Sequence, residues 1–264
     1  MEYVRYRHLV NSGDLVASLA GMKHVFETTG KKAIIMQQLN VAGHYYEGAR
    51  HPLTHDGVQV TMTSKQWNML TPLLLSQEYI EDCEVWEGQP FDIDLNRIRE
   101  GEYSTMPWGQ IQRWCWYADP ALACDLSKPW LMVPKLKGFE GNIAINFTSR
   151  YRNAFISYFF MKPIQDRLLF FGTEEEHHTF CKQNKLVVKH HIVDNFYEMA
   201  VTINSCKFFI GCQSFAYNIV EATKLPRILE VCRTAPNCVP VGEHAYDVLH
   251  QGPMEFYVEQ LINK

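Results

Sequence analysis

The chain has 264 residues, enough for one large domain or two compact ones of about 130 residues each. Apolar residues make up 47% and charged residues 20%, the balance of a soluble globular protein that buries a core. The formal net charge of −4 and pI near 6.3, with no Lys/Arg block along the chain, argue against nucleic acid as a partner.

In chain order, residues 3–10 read as a strand, Asn11-Ser12-Gly13-Asp14 as a turn, and 15–28 as an amphipathic helix with Leu15, Leu19, Met22 and Phe26 on one stripe. Gly30 stands where a helix C-cap belongs, and 33–37 reads as the next strand. After a Gly- and His-rich loop, 58–62 looks like a strand, Ser64 a helix cap, and 65–77 a helix interrupted near Pro72. Short strands are expected at 84–86 and 91–95, and a helix with an aromatic face at 108–117. Two prolines and alternating charge at 128–138 mark a crossover. The pattern then restarts: strands at 142–147, 167–171, 187–191 and 207–210, with a helix at 196–204. At Gly211 the last of these breaks into a polar loop, Cys212-Gln213-Ser214, followed by a helical pattern, Pro226 and the apolar run 227–231; the tail, 254–262, is helical by pattern. Strands separated by helices imply an α/β protein of two Rossmann-like parallel-sheet domains, at 1–135 and 136–250, with a C-terminal helix at 251–264.

The eight Cys (83, 115, 124, 181, 206, 212, 232 and 238) include no C-x-x-C pair, which excludes a zinc ribbon or thioredoxin-type motif. The first residues lack a signal-peptide apolar core and no apolar run approaches the length of a membrane span, so a cytoplasmic protein with reduced thiols is expected. The chain has no G-x-G, no Walker A sequence, no G-x-S-x-G and no H-E-x-x-H, which removes the common nucleotide-binding, hydrolase and zincin signatures.

Four constellations carry chemistry. Asp14 reads either as a helix N-cap or as a carboxylate at a strand's carboxyl end, where it can accept a proton from an attacking hydroxyl. Ser149, Arg150 and Arg152 follow the first strand of the second half; they are either a solvated turn or a phosphate fork, Arg150 more than Arg152. Glu221, two helical turns beyond Ser214, is a helix-surface residue or a partner for ribose hydroxyls. Asp92 and Asp94 share a strand face and can hold a cation with a diphosphate or pair with Arg97 and Arg99. The doublets His177-His178 and His190-His191 and the His51/His55 pair read as surface or loop histidines, and Trp108, Trp114, Trp116 and Tyr117 as core.

These elements resemble the heptosyltransferase-like glycosyltransferases (glycosyltransferase family nine) of the GT-B fold. Ser12-Gly13-Asp14 looks like the family's first strand-G-D-helix element, the run 168–171 with Gly172-Thr173 like its mid-domain strand and glycine, and Gly211-Cys212-Gln213-Ser214 with Pro226 like its donor loop. The family loop carries D-S-G and then His; here Gln213-Ser214-Phe215 and Asn218 take those places. The resemblance implies an inverting, metal-independent transferase that needs no cofactor, with 1–135 the acceptor-side domain, 136–250 the nucleotide-sugar domain facing it across a cleft, and the helix at 251–264 packing back on the first domain. Asp14 would be the general base. The donor would lie on Ser149, Arg150, Arg152, Gly172, Thr173, Gly211, Gln213, Ser214 and Glu221, and the acceptor beside Ser12, Gly13, Asp92 and Asp94. The expected partners are a nucleotide sugar and a glycan or other hydroxyl acceptor, with peripheral membrane contact where that acceptor is lipid-linked. A non-catalytic nucleotide-sugar-binding protein and a GT-B sugar-nucleotide epimerase are the alternatives.

Overall fold

The computed structural model describes residues 3–43, 57–99 and 111–264. The chain forms two compact units: Met1–Leu126 with Trp130–Met132 and Asn195–Tyr197, and Ser127–Pro129 with Val133–Asp194 and Glu198–Lys264. No helix among the described residues is long and apolar enough to cross a membrane.

The first unit contains β1 (Tyr3–His8), α1 (Ser12–Thr29), β2 (Lys32–Gln37), α2 (Ser64–Leu75), β3 (Ile80–Val85), the two-residue β4 (Ile93–Asp94) and a short α3 (Trp114–Ala118). Its sheet is parallel in the order β3-β2-β1-β4. Helix α1 ends at Gly30, whose φ of 73° lets its N–H reach Phe26 O at 2.8 Å. The expected single apolar stripe is exceeded: burial is continuous from Asp14 to Met22. Residues 120–122 cover the outer face, and a Cβ at Gly21 would stand 2.7 Å from that of Leu122, so the helix approaches its cover over a bare glycine.

Three expectations change. Residues 58–62 form no sheet strand. They pair locally and antiparallel with 40–43, through Asn40 N to Met62 O, Thr61 N to Val41 O and Gly43 N to Gln59 O. The cap of α2 is Thr63, in a reciprocal box with Gln66, and Ser64 is the first helical residue. Pro72 does not interrupt α2, which runs on to Leu75.

The second unit contains β5 (Ile143–Asn146), β6 (Leu168–Phe170), α4 (Glu174–Asn184), β7 (Lys189–His190), α5 (Phe196–Ser205), β8 (Phe208–Cys212), α6 (Phe215–Thr223), β9 (Arg227–Glu230), β10 (Ala245–Val248) and α7 (Gln251–Ile262). Neither α4 nor β10 was expected, although the Thr173/Glu176 capping box that starts α4 is legible in the sequence. All strands are parallel in the order β10-β9-β8-β5-β6-β7. Numbered by appearance from β5, this is 3-2-1-4-5-6, the doubly wound arrangement whose switch point lies between β5 and β8. The tail helix packs Met254, Val258 and Leu261 into the second unit's core with Ile143, Phe208 and Ile210.

Strand β8 continues through Gly211 to Cys212, so the polar turn is only Gln213-Ser214. Gly211 is required by proximity: a Cβ there would meet Asn146 O at 2.6 Å and the Phe209 ring at 2.7 Å. Gly211→Ala is expected to lower stability by about 1–3 kcal/mol, read from the urea midpoint at unchanged slope.

Candidate functional site

At the second unit's switch point, Asn146 ends β5 opposite Gly211 of β8, and Ser214 caps α6 by accepting a bond from Tyr217 N. A doubly wound sheet binds ligands at this edge, and a helix N-terminus there favours negative charge. The edge is lined by amides. Asn146 donates from Nδ2 to Phe171 O, Asn218 donates from Nδ2 to Ser214 O at 2.9 Å, and Gln213 pairs with Asn237 at 2.9 Å. The remaining atoms, Asn146 Oδ1, Asn218 Oδ1 and Gln213 Oε1, are buried with no partner among the described residues. Asn146 and Asn218 were not singled out as ligands from sequence, since an Asn after a strand or in a first helical turn is common in turns and caps.

The other donor-side residues divide sharply. Ser149 is exposed and Arg150 half-buried in the loop after β5, with the Arg150 guanidinium 5.4 Å above the Tyr151 ring. Arg152 has another task. Its Nε donates to Glu230 Oε1 at 2.9 Å, and Glu230 is fully buried at the carboxyl end of β9. Glu230 also accepts from Asn153 N at 2.6 Å and from the Tyr158 hydroxyl at 2.7 Å. Burial, then the Glu230 charge, holds the Tyr158 hydroxyl well above its usual pKa. This network fastens the loop that carries Arg150 over the ends of β8 and β9, helped by Thr148 N donating to the Cys212 thiol at 3.3 Å. Burial pushes that thiol's pKa up to about 11, and those of Cys115 and Cys206 to about 12.

Glu221 is neither at the helix surface nor open to a ribose. It is fully buried, with Oε1 on Lys224 Nζ and Val241 N and Oε2 on Arg227 Nε and the Tyr217 hydroxyl. Thr173 likewise spends its hydroxyl capping α4. Gly172, at φ 149°, leaves no room for a side chain between Phe170 and Glu176, and its carbonyl accepts from His190 Nε2 at 2.9 Å.

In the first unit, α1 starts with Ser12 and Gly13 directly after β1, and the N-cap is Asn11, not Asp14. Asp14 lies in the first turn, 9% exposed, as that turn's sole acidic residue. The D-x-D carboxylates are engaged with the chain itself. Asp92 Oδ2 accepts from Arg5 N at 2.8 Å, while Asp94 accepts from Asn96 N and from Arg7 Nη1. The bonds from Arg5 N and Arg7 Nη1 tie this segment to β1.

Among the described residues no group of three or more His, Cys, Asp or Glu is placed to hold a metal ion. His177 and His190 come together across the sheet edge, rings stacked at 4.7 Å, each Nε2 on a backbone carbonyl. His191 lies in the loop after β7, half-buried, and desolvation lowers its pKa. Trp114 and Trp116 are half-exposed and Tyr117 exposed, because Cys115 and Ala118 take the core side of α3. Trp108, His51 and His55 lie outside the described residues.

Two parallel α/β sheets place the chain in the two-domain, Rossmann-like class with the fold of GT-B glycosyltransferases. It is similar along its whole length to the glycosyl transferase family 9 protein of Veillonella parvula (TM-score 0.61, 10% identity, 100% of this chain and 91% of that one). It is also similar to the E. coli ADP-heptose lipopolysaccharide heptosyltransferase II (0.56, 11%, 99% and 98%) and to the E. coli heptosyltransferase WaaC with ADP (0.58, 8%, 98% and 100%). At these identities the likeness is one of fold. No protein-family model and no curated protein matches the chain.

Proposed function

We propose that the chain is a glycosyltransferase that moves a sugar from a nucleoside-diphosphate donor to an acceptor hydroxyl, with inversion and without a metal. The observation that carries this reading is the second unit's switch point, where the α6 N-terminus adjoins buried amides with unused hydrogen-bonding atoms, on a fold shared with nucleotide-sugar enzymes. In the reaction the acceptor oxygen bonds to the anomeric carbon as the bond to the diphosphate oxygen breaks. The electron pair leaves on the diphosphate, and Asp14 takes the hydroxyl proton. Arg150 and the α6 N-terminus stabilise the leaving charge, the role a metal plays elsewhere.

A thermal-shift screen with ADP, UDP, GDP and their hexose derivatives tests the site. A ligand at 100 times its Kd is expected to add about 2.7 kcal/mol of stability. No shift with any nucleotide would remove the proposal. Transfer is expected to survive EDTA with less than a twofold change in rate; a loss restored by a divalent cation would overturn the metal-free reading.

Gln213 and Asn218, in a loop where the similar family carries Asp and His, favour a second reading, a nucleotide-sugar-binding protein without transfer. Tight binding with neither transfer nor slow donor hydrolysis would establish it. Conversion of the donor's sugar without any acceptor would instead identify an epimerase.

A further inference from the structure

The unpartnered atoms at the β5/β8 edge have a definite polarity. Nδ2 of Asn146 faces the carbonyl oxygen of Phe171 and Nδ2 of Asn218 faces that of Ser214. A carbonyl only accepts, so the amino end of each amide must point at it and the oxygen end must point away. Asn146 Oδ1 and Asn218 Oδ1 are therefore fixed as acceptors, on side chains about nineteen-twentieths buried (each residue 5% exposed). Gln213 differs, since it faces another amide, Asn237, and that pair can present either an acceptor or a donor.

Buried acceptors left unsatisfied are costly, and phosphate oxygens, being acceptors themselves, cannot satisfy them. A group bearing O–H donors can. The three amides stand on one edge: Asn146 is the register partner of Gly211, Gln213 lies two residues beyond Gly211, and Asn218 bonds back to Ser214.

We propose that Asn146 and Asn218 form a recognition site for hydroxyl groups and determine which sugar the donor carries, while the α6 N-terminus and Arg150 serve the diphosphate. This rests on the reading of the edge as a nucleotide-sugar site, and it divides that site into an acceptor-lined sugar end and a cationic phosphate end. Neither amide ionises, so the sugar end recognises neutral hydroxyls through fixed, uncharged acceptors.

Isothermal titration separates the two ends. ADP-glucose, UDP-glucose and GDP-mannose are titrated against the free diphosphates. Whichever sugar nucleotide binds is then compared with its deoxyfluoro analogues, in which fluorine replaces a hydroxyl and cannot donate. The intact sugar nucleotide is expected to bind about tenfold more tightly than at least one analogue, the loss of one hydrogen bond to a buried neutral acceptor. Asn146→Leu or Asn218→Leu is expected to erase that difference while the free diphosphate binds within twofold of wild type. Should either leucine variant fail to fold, the analogue series on the wild-type protein still decides. Equal binding of all analogues, or a leucine variant that weakens the free diphosphate as much as the sugar nucleotide, overturns the assignment. Nucleotide binding without sugar discrimination removes this inference alone. Absence of all nucleotide binding removes the underlying reading together with it.

Discussion

Asp14→Asn is expected to reduce transfer by about 10²–10⁴-fold, the usual contribution of a positioned general base, while leaving donor affinity near wild type. The expectation rests on position. Asp14 stands in the first turn of α1, immediately after the carboxyl end of β1, and is nearly buried there. Asn11, not Asp14, stands at the N-cap, and the substitution removes a favourable charge near the helix N-terminus, about 0.3–1 kcal/mol. Thermal melts of both proteins separate a loss of chemistry from a loss of fold. Unchanged turnover in the variant would remove Asp14 from the chemistry; a Tm drop in proportion to the lost activity would make it structural.

Glu221→Gln carries the largest expected effect on stability, about 3–5 kcal/mol, because it leaves the fully buried Arg227 and the nearly buried Lys224 facing a neutral amide. For a chain of this size that lowers Tm by on the order of 10 °C. The same network fastens the segment between β9 and β10: Val241 donates to Glu221 and accepts from Lys224 and Arg227. Asn237, in that segment, meets Gln213 at the switch point, so the variant is also expected to bind nucleotide more weakly. The two roles of Glu221 are distinguishable. A ribose ligand would weaken binding at constant Tm, whereas the buried ion pair predicts a fall in Tm first. Replacing the network together, with Glu221→Leu, Lys224→Met and Arg227→Met, is expected to recover much of the lost stability, since buried charges are costly to desolvate even when paired.

How far the sequence could be read depended on the range of the interaction. Gly30 ends α1 as expected because a left-handed C-cap is a local requirement. The strand-turn-helix of 208–223 was visible for the same reason: a switch from an apolar run to helical periodicity, punctuated by Gly and Ser, takes place within a few residues. What Asp92 and Asp94 meet was not legible, because alternation on a strand face says which way side chains point and nothing about what lies opposite. Arg5 and Arg7, 87 residues away, lie there. Arg152 likewise looked like a phosphate fork until Glu230, 78 residues on, proved to be its partner.

By itself the sequence determined the alternation of strands and helices, the parallel sheets it implies, and the polar turn at Gln213-Ser214, since periodicity, caps and glycine are properties of neighbouring residues. Only the tertiary structure decided the strand order, and with it the switch point at which Asn146, Gln213 and Asn218 meet. It also decided which charges are consumed in the fold: Glu221 and Arg227 pair out of solvent, and the buried Glu230 pairs with the partly exposed Arg152. The physical reason is that burial and pairing are set by which strands become neighbours, and that is decided by the packing of apolar faces across the whole sheet.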